Sequence, residues 1–124
     1  MRSNGVVDRE FPYRPLPEHE LWSADVAWVS QARYDSIDKW LEGSPELVIE
    51  VKSPSNTKHE LEDKAMTTLA GGAVQFWVVD QSLQTVVAYT RSSGIHVYRD
   101  RAQLIPAPMF GASLTVESLF FTKL

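Results

Sequence analysis

Two short apolar runs, one on either side of a helical pattern, dominate the distribution of hydrophobic and polar residues in this chain. The first run spans Leu47 to Val51, and the second spans Val74 to Val79. Side chains alternate across a strand, so a run that is apolar at nearly every position predicts a strand covered on both faces. Because a strand–helix–strand unit forms a right-handed crossover, we expect these two strands to be parallel neighbours.

The segment between the two strands predicts an amphipathic helix with a defined start and end. Thr57 and Glu60 have the spacing of a capping box, in which each side chain accepts a hydrogen bond from the other residue's backbone N–H. The helix is expected to run to about Ala70 and to stop at Gly71-Gly72. Lys64 lies at the border of the apolar stripe and can lean toward the sheet. The stripe consists of Leu61, Ala65 and Leu69, widened by Met66 and Ala70.

Shorter elements are expected around this unit. Asp25 to Ser30 alternates as a strand does, with Val26 and Trp28 on one face. Arg91 to Gly94 is typical of a hairpin turn. The other expected elements are a short helix or turn within 31–42, hairpin strands at Thr85–Thr90 and Ile95–Tyr98, a loop over 100–113, and a short helix or strand in the apolar tail, 114–121.

Length and composition indicate one ordinary globular domain. The chain has 124 residues, and we expect a single domain over 1–124, with an irregular segment at 1–24 and the core at 25–124. Pro12, Pro15 and Pro17 are the reason for expecting irregular structure at the start, with Val6-Val7 as a possible seed of a short edge strand. No apolar stretch reaches the roughly 20 residues that span a bilayer, and no apolar signal core follows Met1, so we expect a cytoplasmic protein without a membrane partner.

Charge and cysteine content narrow the classes of function. The sequence contains no Cys, which excludes disulfides and thiolate chemistry. Its formal net charge is −4, so it lacks the overall basic character of many nucleic-acid-binding proteins. A DNA-binding role would therefore require a local basic patch or a bound cation.

Charged residues at the end of the first apolar strand are the candidate reactive groups. Glu50 and Lys52 are two residues apart and share one face of that strand. A buried carboxylate is costly unless it is paired or bound to a metal. Asp25 on a neighbouring strand and Glu50 can bind one Mg²⁺ or Mn²⁺ ion, with the Val51 carbonyl as a third ligand. Lys52 would then orient or deprotonate the attacking water and offset charge in a phosphorane-like transition state.

The same residues also permit a purely structural interpretation. Glu-x-Lys is a common combination, so Glu50 and Lys52 can form a salt bridge at a strand end, and Asp25 can be a turn or cap residue. The sequence has neither a Gly-x-Ser-x-Gly nucleophile elbow nor a glycine-rich phosphate loop. Metal-assisted hydrolysis is therefore the main catalytic hypothesis.

Three phrases of the sequence resemble a known protein family in their order and spacing. Residues 23–30, Ser-Ala-Asp-Val-Ala-Trp-Val-Ser, resemble the family phrase Pro-Asp-Val-Ala-Phe-Val. Residues 46–55, Glu-Leu-Val-Ile-Glu-Val-Lys-Ser-Pro-Ser, resemble Asp-Leu-Val-Val-Glu-Val-x-Ser-Pro-Ser. Asp63-Lys64 and then residues 72–80, Gly-Ala-Val-Gln-Phe-Trp-Val-Val-Asp, resemble Lys followed by Gly-Val-x-Glu-Tyr-Trp-Val-Val-Asp. From about residue 5 to residue 121 the chain is similar to the Uma-two family of restriction-endonuclease-like proteins, in the PD-(D/E)xK nuclease superfamily.

The resemblance implies a restriction-endonuclease-like α/β fold, with a mixed β-sheet flanked by helices, and metal-dependent hydrolysis of phosphodiester bonds in DNA. It places Asp25 and Glu50 as metal ligands and Lys52 at the superfamily's catalytic lysine position. In this family that position is often not Lys, and a lysine on the following helix serves instead, so Lys64 is a second candidate. Ala24 stands where the family usually has Pro.

The N-terminal region is expected to be truncated relative to the family. Family members usually carry several tens of residues before the first phrase, whereas 24 residues precede Asp25 here. An apolar surface left uncovered would favour a twofold homodimer, with an interface of more than about 1,200 Å². The hairpin strands near Tyr89 and Tyr98, or the proline-rich N-terminal segment, are the expected contacts. The alternative to a DNA endonuclease is a catalytically inactive nuclease-fold module that binds DNA or another partner.

Overall fold

A computed structural model describes residues 4–100, 102–110 and 112–116 of the chain. Its strands are β1 (Gly5–Arg14), β2 (Trp22–Ser30), β3 (Leu41–Glu42), β4 (Leu47–Val51), β5 (Gln75–Asp80), β6 (Thr85–Thr90), β7 (Gly94–Tyr98), β8 (Leu104–Ala107) and β9 (Ala112–Thr115). Its α-helices are α1 (Gln31–Asp35) and α2 (Lys58–Ala70), and a 3-10 turn covers Pro108–Phe110. None of the described helices is long and apolar enough to cross a membrane.

Seven strands form one mixed sheet in the order β3-β1-β2-β4-β5-β6-β7. β4 and β5 are parallel, with Leu47 opposite Gln75 and Val51 opposite Val79, which confirms the expected crossover through α2. β2 is antiparallel to both β1 and β4, and β6 is antiparallel to both β5 and β7. This mixed α/β sheet with two helices confirms the expected fold class.

The two faces of the sheet are covered by different structures. On one face, Val48 and Phe76 pack beneath Leu61 and Ala65 of α2. On the other face, the β8–β9 hairpin covers a second apolar cluster, which includes Ile49, Trp77, Ile105 and Ala107. Val48 and Ile49 therefore lie on opposite faces, as strand alternation predicts, and Glu50 follows on the helix side.

Helix α2 begins and ends where the sequence predicts. The Glu60 N–H donates to Thr57 Oγ1 at 3.1 Å, and the Thr57 N–H donates to Glu60 Oε1 at 3.1 Å. These two bonds form the expected capping box and satisfy two N–H groups that the helix itself leaves unpaired. The start of α2 is thus set by local chemistry.

The buried face of α2 differs from the predicted stripe. Thr68 is fully buried with Leu61 and Ala65, whereas Met66 is 51% exposed. Thr68 is accommodated because its Oγ1 and the Tyr13 hydroxyl form a buried hydrogen bond of 2.9 Å. This bond anchors α2 to β1, a contact that the apolar pattern of the helix does not reveal.

The N-terminal segment requires the largest correction. We expected irregular structure over 1–24, but β1 covers Gly5–Arg14 and belongs to the sheet, where it pairs with β2 and, at Tyr13 and Arg14, with β3. Eight residue pairs join β1 to β2, and the register is interrupted only at Glu10. Glu10 has a left-handed backbone conformation, with φ of 49°. Long-range pairing outweighs the poor strand propensity of Pro12, which is why the local pattern was misleading.

The segment 31–42 contains the expected short helix, but the helix ends at Asp35. The chain then joins the sheet as the two-residue strand β3, which pairs in parallel with β1. Glu42 of β3 forms an ion pair with Arg14 of β1 at 2.7 Å. This part of the sheet edge is therefore short and charged.

The segment 100–113 is also more ordered than expected. β8 and β9 form an antiparallel pair in place of part of the expected loop. Ile105 and Ala107 are fully buried against the sheet, whereas Leu104 and Pro106 are exposed. Pro106 interrupts the strand pattern in the sequence, so the alternation of β8 is not evident there. Residues 114 and 115 of the tail belong to β9, and residues 117–121 lie outside the described residues.

Candidate functional site

Asp25 and Glu50 come together where the pairing of β2 with β4 ends. The register places Val26 opposite Ile49, so Asp25 and Glu50 are the next residues along the two strands. The Asp25 N–H donates to Glu50 Oε2 at 3.0 Å, and the Val51 N–H donates to Asp25 Oδ2 at 2.7 Å. Each carboxylate is therefore held by a backbone N–H of the opposite strand.

Glu50 is a buried carboxylate with an altered proton affinity. Its residue surface is 8% exposed. Burial raises the pKa of Glu50 above the ordinary glutamate value, although the Lys64 charge and hydrogen bonds from Lys64 and the Asp25 N–H act in the opposite direction. The negative charge of Asp25 adds to the upward shift. The carboxylate pair would therefore be stabilised by further positive charge nearby.

Lys64 of helix α2 supplies the cation that contacts Glu50. Its Nζ donates to Glu50 Oε1 at 2.9 Å and to the Ser23 carbonyl at 3.2 Å. The same Nζ lies 5.5 Å from the centroid of the Trp22 ring, within the range of a cation–π interaction. Lys64 therefore leans from the helix border toward the sheet, and three groups hold its ammonium in place.

Trp22 is a site residue whose sequence context suggests base stacking or a place in the core, and not a contact with the lysine beside Glu50. Its Nε1 donates to Glu20 Oε1 at 3.0 Å, and the His19 ring lies edge-on to it with centroids 4.6 Å apart. These contacts fix the orientation of the ring against which Lys64 rests. Its place in the site depends on the packing of α2 across β2, and no local motif signals such a long-range contact.

Lys52 lies in different surroundings from the Glu50 carboxylate. Its N–H donates to the Val79 carbonyl at 2.8 Å, which keeps its backbone beside β5. Its side chain lines a groove of about 400 Å³ between α2 and the β6–β7 hairpin. We call this the hairpin groove; its lining includes Lys52, Lys58, Leu61, Val87, Ile95 and Val97. Within the described residues, the ion pair of Glu50 is with Lys64 and not with Lys52.

Oxygen atoms at the Asp25–Glu50 contact are of the type that hard divalent cations prefer. Asp25 lines a surface pocket of about 420 Å³ together with Val51, and Glu50 lines a second pocket of about 320 Å³. Across the described ranges, no group of three or more His, Cys, Asp or Glu side chains could hold a metal. Two carboxylates and a carbonyl suit an ion such as Mg²⁺, which keeps several waters, so the donor chemistry fits the metal that the resemblance implies.

Glu10 is a further carboxylate near this contact that sequence reasoning missed. It lines the same pocket as Asp25, and its φ of 49° places it in the left-handed region, which non-glycine residues adopt at a cost. Its position follows from the interrupted register of β1 with β2. Local sequence contains no signal for that interruption.

Residues 2–117 match the model of the Uma2 family, whose description is "Putative restriction endonuclease". The chain belongs to the Uma2 family. The match confirms the resemblance drawn from the three sequence phrases, and it includes the strands that carry Asp25 and Glu50 as well as helix α2.

The fold of this Uma2-family chain is similar to that of a solved structure. It is a crystal structure from Anabaena variabilis, described as that of "a putative nuclease belonging to DUF820". The two structures superimpose with a TM-score of 0.80 at 20% sequence identity, over 95% of this chain and 69% of that chain. At this identity the likeness shows the shared fold. Among curated proteins, no match to the chain was found.

Proposed function

We propose that this Uma2-family chain is a metal-dependent endonuclease that hydrolyses phosphodiester bonds in DNA. The observation that carries the proposal is that the Glu50 carboxylate accepts hydrogen bonds from the Asp25 N–H and from Lys64, where the pairing of β2 with β4 ends. These groups converge from three elements, and burying the Glu50 carboxylate costs free energy that a structural role alone repays poorly. The chain belongs to a family whose description is that of a restriction endonuclease, and this membership supports nuclease chemistry.

Asp25 and Glu50 are the proposed ligands of Mg²⁺ or Mn²⁺, together with the Val51 carbonyl. When bound, the cation supplies a Lewis acid that polarises a phosphate oxygen. The chain's own contribution is to fix each carboxylate on neighbouring strands, Glu50 through the N–H of Asp25 and Asp25 through the N–H of Val51. The raised pKa of Glu50 supports this assignment, because a carboxylate with too little compensating charge favours cation binding.

Lys64 is the proposed catalytic lysine. An ammonium group has three N–H donors, and two of them point to Glu50 Oε1 and the Ser23 carbonyl. No described residue accepts a hydrogen bond from the third, which we assign to a water or a phosphate oxygen. A donor held in place in this way stabilises negative charge as it develops in a phosphorane-like transition state. Lys52 remains the second candidate, because it follows Glu50 on the same strand face.

A DNA cleavage assay tests the proposal directly. Supercoiled plasmid and a linear duplex would be incubated with the chain in Mg²⁺, in Mn²⁺ or in EDTA. We expect cleavage with either cation and none in EDTA. Asp25→Ala and Glu50→Ala should each lower the rate by about a thousandfold or more, since each removes several kcal/mol of transition-state stabilisation.

Glu62→Ala is the matched control, because it removes one carboxylate from helix α2 away from the Asp25–Glu50 contact. Circular dichroism of every variant would verify the fold, and titration calorimetry with Mg²⁺ would compare cation binding by wild type and Glu50→Ala. Equal cleavage by wild type and both site variants would reveal a contaminating nuclease and contradict the proposal. DNA binding without any cleavage would favour the non-catalytic module.

A further inference from the structure

The two edges of the seven-stranded sheet are built differently. One edge is β3, which has two residues, one of them a glutamate paired with Arg14. The other edge is β7, which has five residues. An edge strand presents unpaired N–H and C=O groups, and short length or charge commonly prevents other chains from adding to it. β3 has both protections, but it pairs with β1 only at Tyr13 and Arg14. The part of β1 beyond β3 is also an edge, and it contains residues that oppose strand addition: Asp8, Arg9, Glu10 and Pro12.

β7 has none of the features that usually block strand addition. Its sequence, Gly-Ile-His-Val-Tyr, contains no Lys, Arg, Asp, Glu or Pro. Its register with β6 runs without a bulge from Gly94 opposite Thr90 to Tyr98 opposite Val86. Regular, uncharged edges of this length are templates for pairing with another strand.

Apolar side chains beside this edge are exposed on the helix side of the sheet. Ile95 is 57% exposed, Val97 is 41% exposed, and Leu83, in the turn before β6, is 72% exposed. All three line the hairpin groove, together with Val87. An apolar surface contiguous with an open strand edge marks a site of association.

We propose that β7 pairs antiparallel with β7 of a second copy of this chain. The strand is complementary to its own reversed copy, because a twofold axis brings the same five residues together and pairs the outward backbone groups of both copies. No Lys, Arg, Asp or Glu of one strand meets a like charge on the other, so the pairing avoids the repulsion that opposes identical charged strands.

The proposed pairing also covers the exposed apolar side chains. Antiparallel strands of one sheet are related by an axis perpendicular to the sheet, so both copies keep α2 on the same face of a continuous sheet. Ile95 and Val97 of the two copies then approach each other across the axis. Three strands, β5, β6 and β7, separate β4 from the axis in each copy, so Glu50 and Lys64 stay accessible.

Sedimentation equilibrium at micromolar concentrations tests this pairing. Wild type should have twice the chain mass of 14.0 kDa. Val97→Lys should weaken self-association by about a hundredfold or more, because each dimer contains the change twice and like charges across a strand pair repel. Met66→Lys is the matched control: Met66 is also an exposed apolar residue, at 51%, but it lies on helix α2, away from any strand edge. We expect that variant to remain dimeric.

A second measurement avoids reliance on one substitution. Hydrogen exchange of wild-type β7 amides should become faster on dilution, because dissociation exposes the outward N–H groups, and this readout needs no variant to fold. A wild-type monomer throughout the concentration range would overturn the proposal. A dimer that survives Val97→Lys, or β7 exchange independent of concentration, would place self-association on another surface and equally overturn it. Neither outcome depends on nuclease activity.

Discussion

The lysine side chains on the two sides of helix α2, Lys64 and Lys52, have different surroundings. On one side, Lys64 contacts Glu50, the Ser23 carbonyl and the ring of Trp22. On the other side, Lys52 lines the hairpin groove, where its side chain forms no ion pair with any described residue. Leu61 of α2 lines both the Glu50 pocket and the groove, and so stands between them.

The difference shows that a strand face alone does not define a site. Glu50 lies on β4 and Lys52 is the first residue after it, so strand alternation places both side chains on the same side. The helix that packs above β4 separates their side chains and brings in a third residue, Lys64, from 14 positions further along the chain. Strand alternation places Glu50 and Lys52 on the same face of the sheet. The packing of α2 on that face determines that Lys64, and not Lys52, contacts the Glu50 carboxylate.

Substitution of the two lysines tests this contrast most strongly. Lys64→Ala should lower the rate of Mg²⁺-dependent DNA cleavage by about a hundredfold or more, since a positioned proton donor or charge contributes that much. Lys52→Ala should have a much smaller effect, because its side chain lies in the groove. Single-turnover cleavage by both variants, with Lys58→Ala as a control for loss of a groove charge, gives the ranking. The reverse ranking would return the catalytic role to Lys52.

Removing the Tyr13–Thr68 hydrogen bond tests whether the position of α2 keeps Lys64 at Glu50 and Lys52 in the groove. Tyr13→Phe leaves Thr68 Oγ1 buried without its partner, so the free energy of unfolding should fall by about 1–3 kcal/mol. Cleavage should also slow moderately if α2 shifts and displaces Lys64. Urea unfolding measures the first effect. Tyr98→Phe is the comparison, since that tyrosine lies on β7; an equal loss of stability in both variants would argue against the anchor.

The protonation of Glu50 should make the free energy of unfolding depend on pH, an effect smaller than those of the substitutions above. Burial raises the pKa of Glu50 in the folded state, so folding favours the protonated carboxyl. The stabilisation that the protonated Glu50 carboxyl contributes is therefore fully present below the pKa of Glu50 in the unfolded chain. It is lost as the pH rises through the higher pKa of Glu50 in the folded chain. The free energy of unfolding of wild type, minus that of Glu50→Gln, should decline over this window in the absence of divalent cations.

Substitution of Lys64 tests the same pH dependence of stability in a second way. Its charge lowers the pKa of Glu50, so in Lys64→Met the decline should extend to higher pH than in wild type. Urea unfolding at a series of pH values, for wild type and both variants, compares the three curves. A wild-type difference that rises with pH would mean that Lys64 outweighs burial, and would reverse the sign of the argument.

Elements with strong local signals were predicted closely. The capping residues of α2 and the apolar runs of β4 and β5 gave boundaries within one or two residues. β1 and β8–β9 were missed because each contains a proline that breaks the local pattern, while the pairing that stabilises it comes from distant parts of the chain. Strand propensity depends on such neighbours more than helix propensity does.

For the site, local sequence patterns were enough to predict which charged groups are present and on which face of a strand or helix they lie. Asp25 enters one strand, Glu50 ends another, and Lys64 borders a helix stripe, all through local periodicity. Only the tertiary structure decided that Lys64 contacts Glu50, that Trp22 supports it, and that Lys52 turns to the groove. Periodicity is a property of neighbouring residues, whereas these contacts depend on how α2 packs across the sheet, and its anchors, such as the Tyr13–Thr68 bond, join residues far apart in the chain.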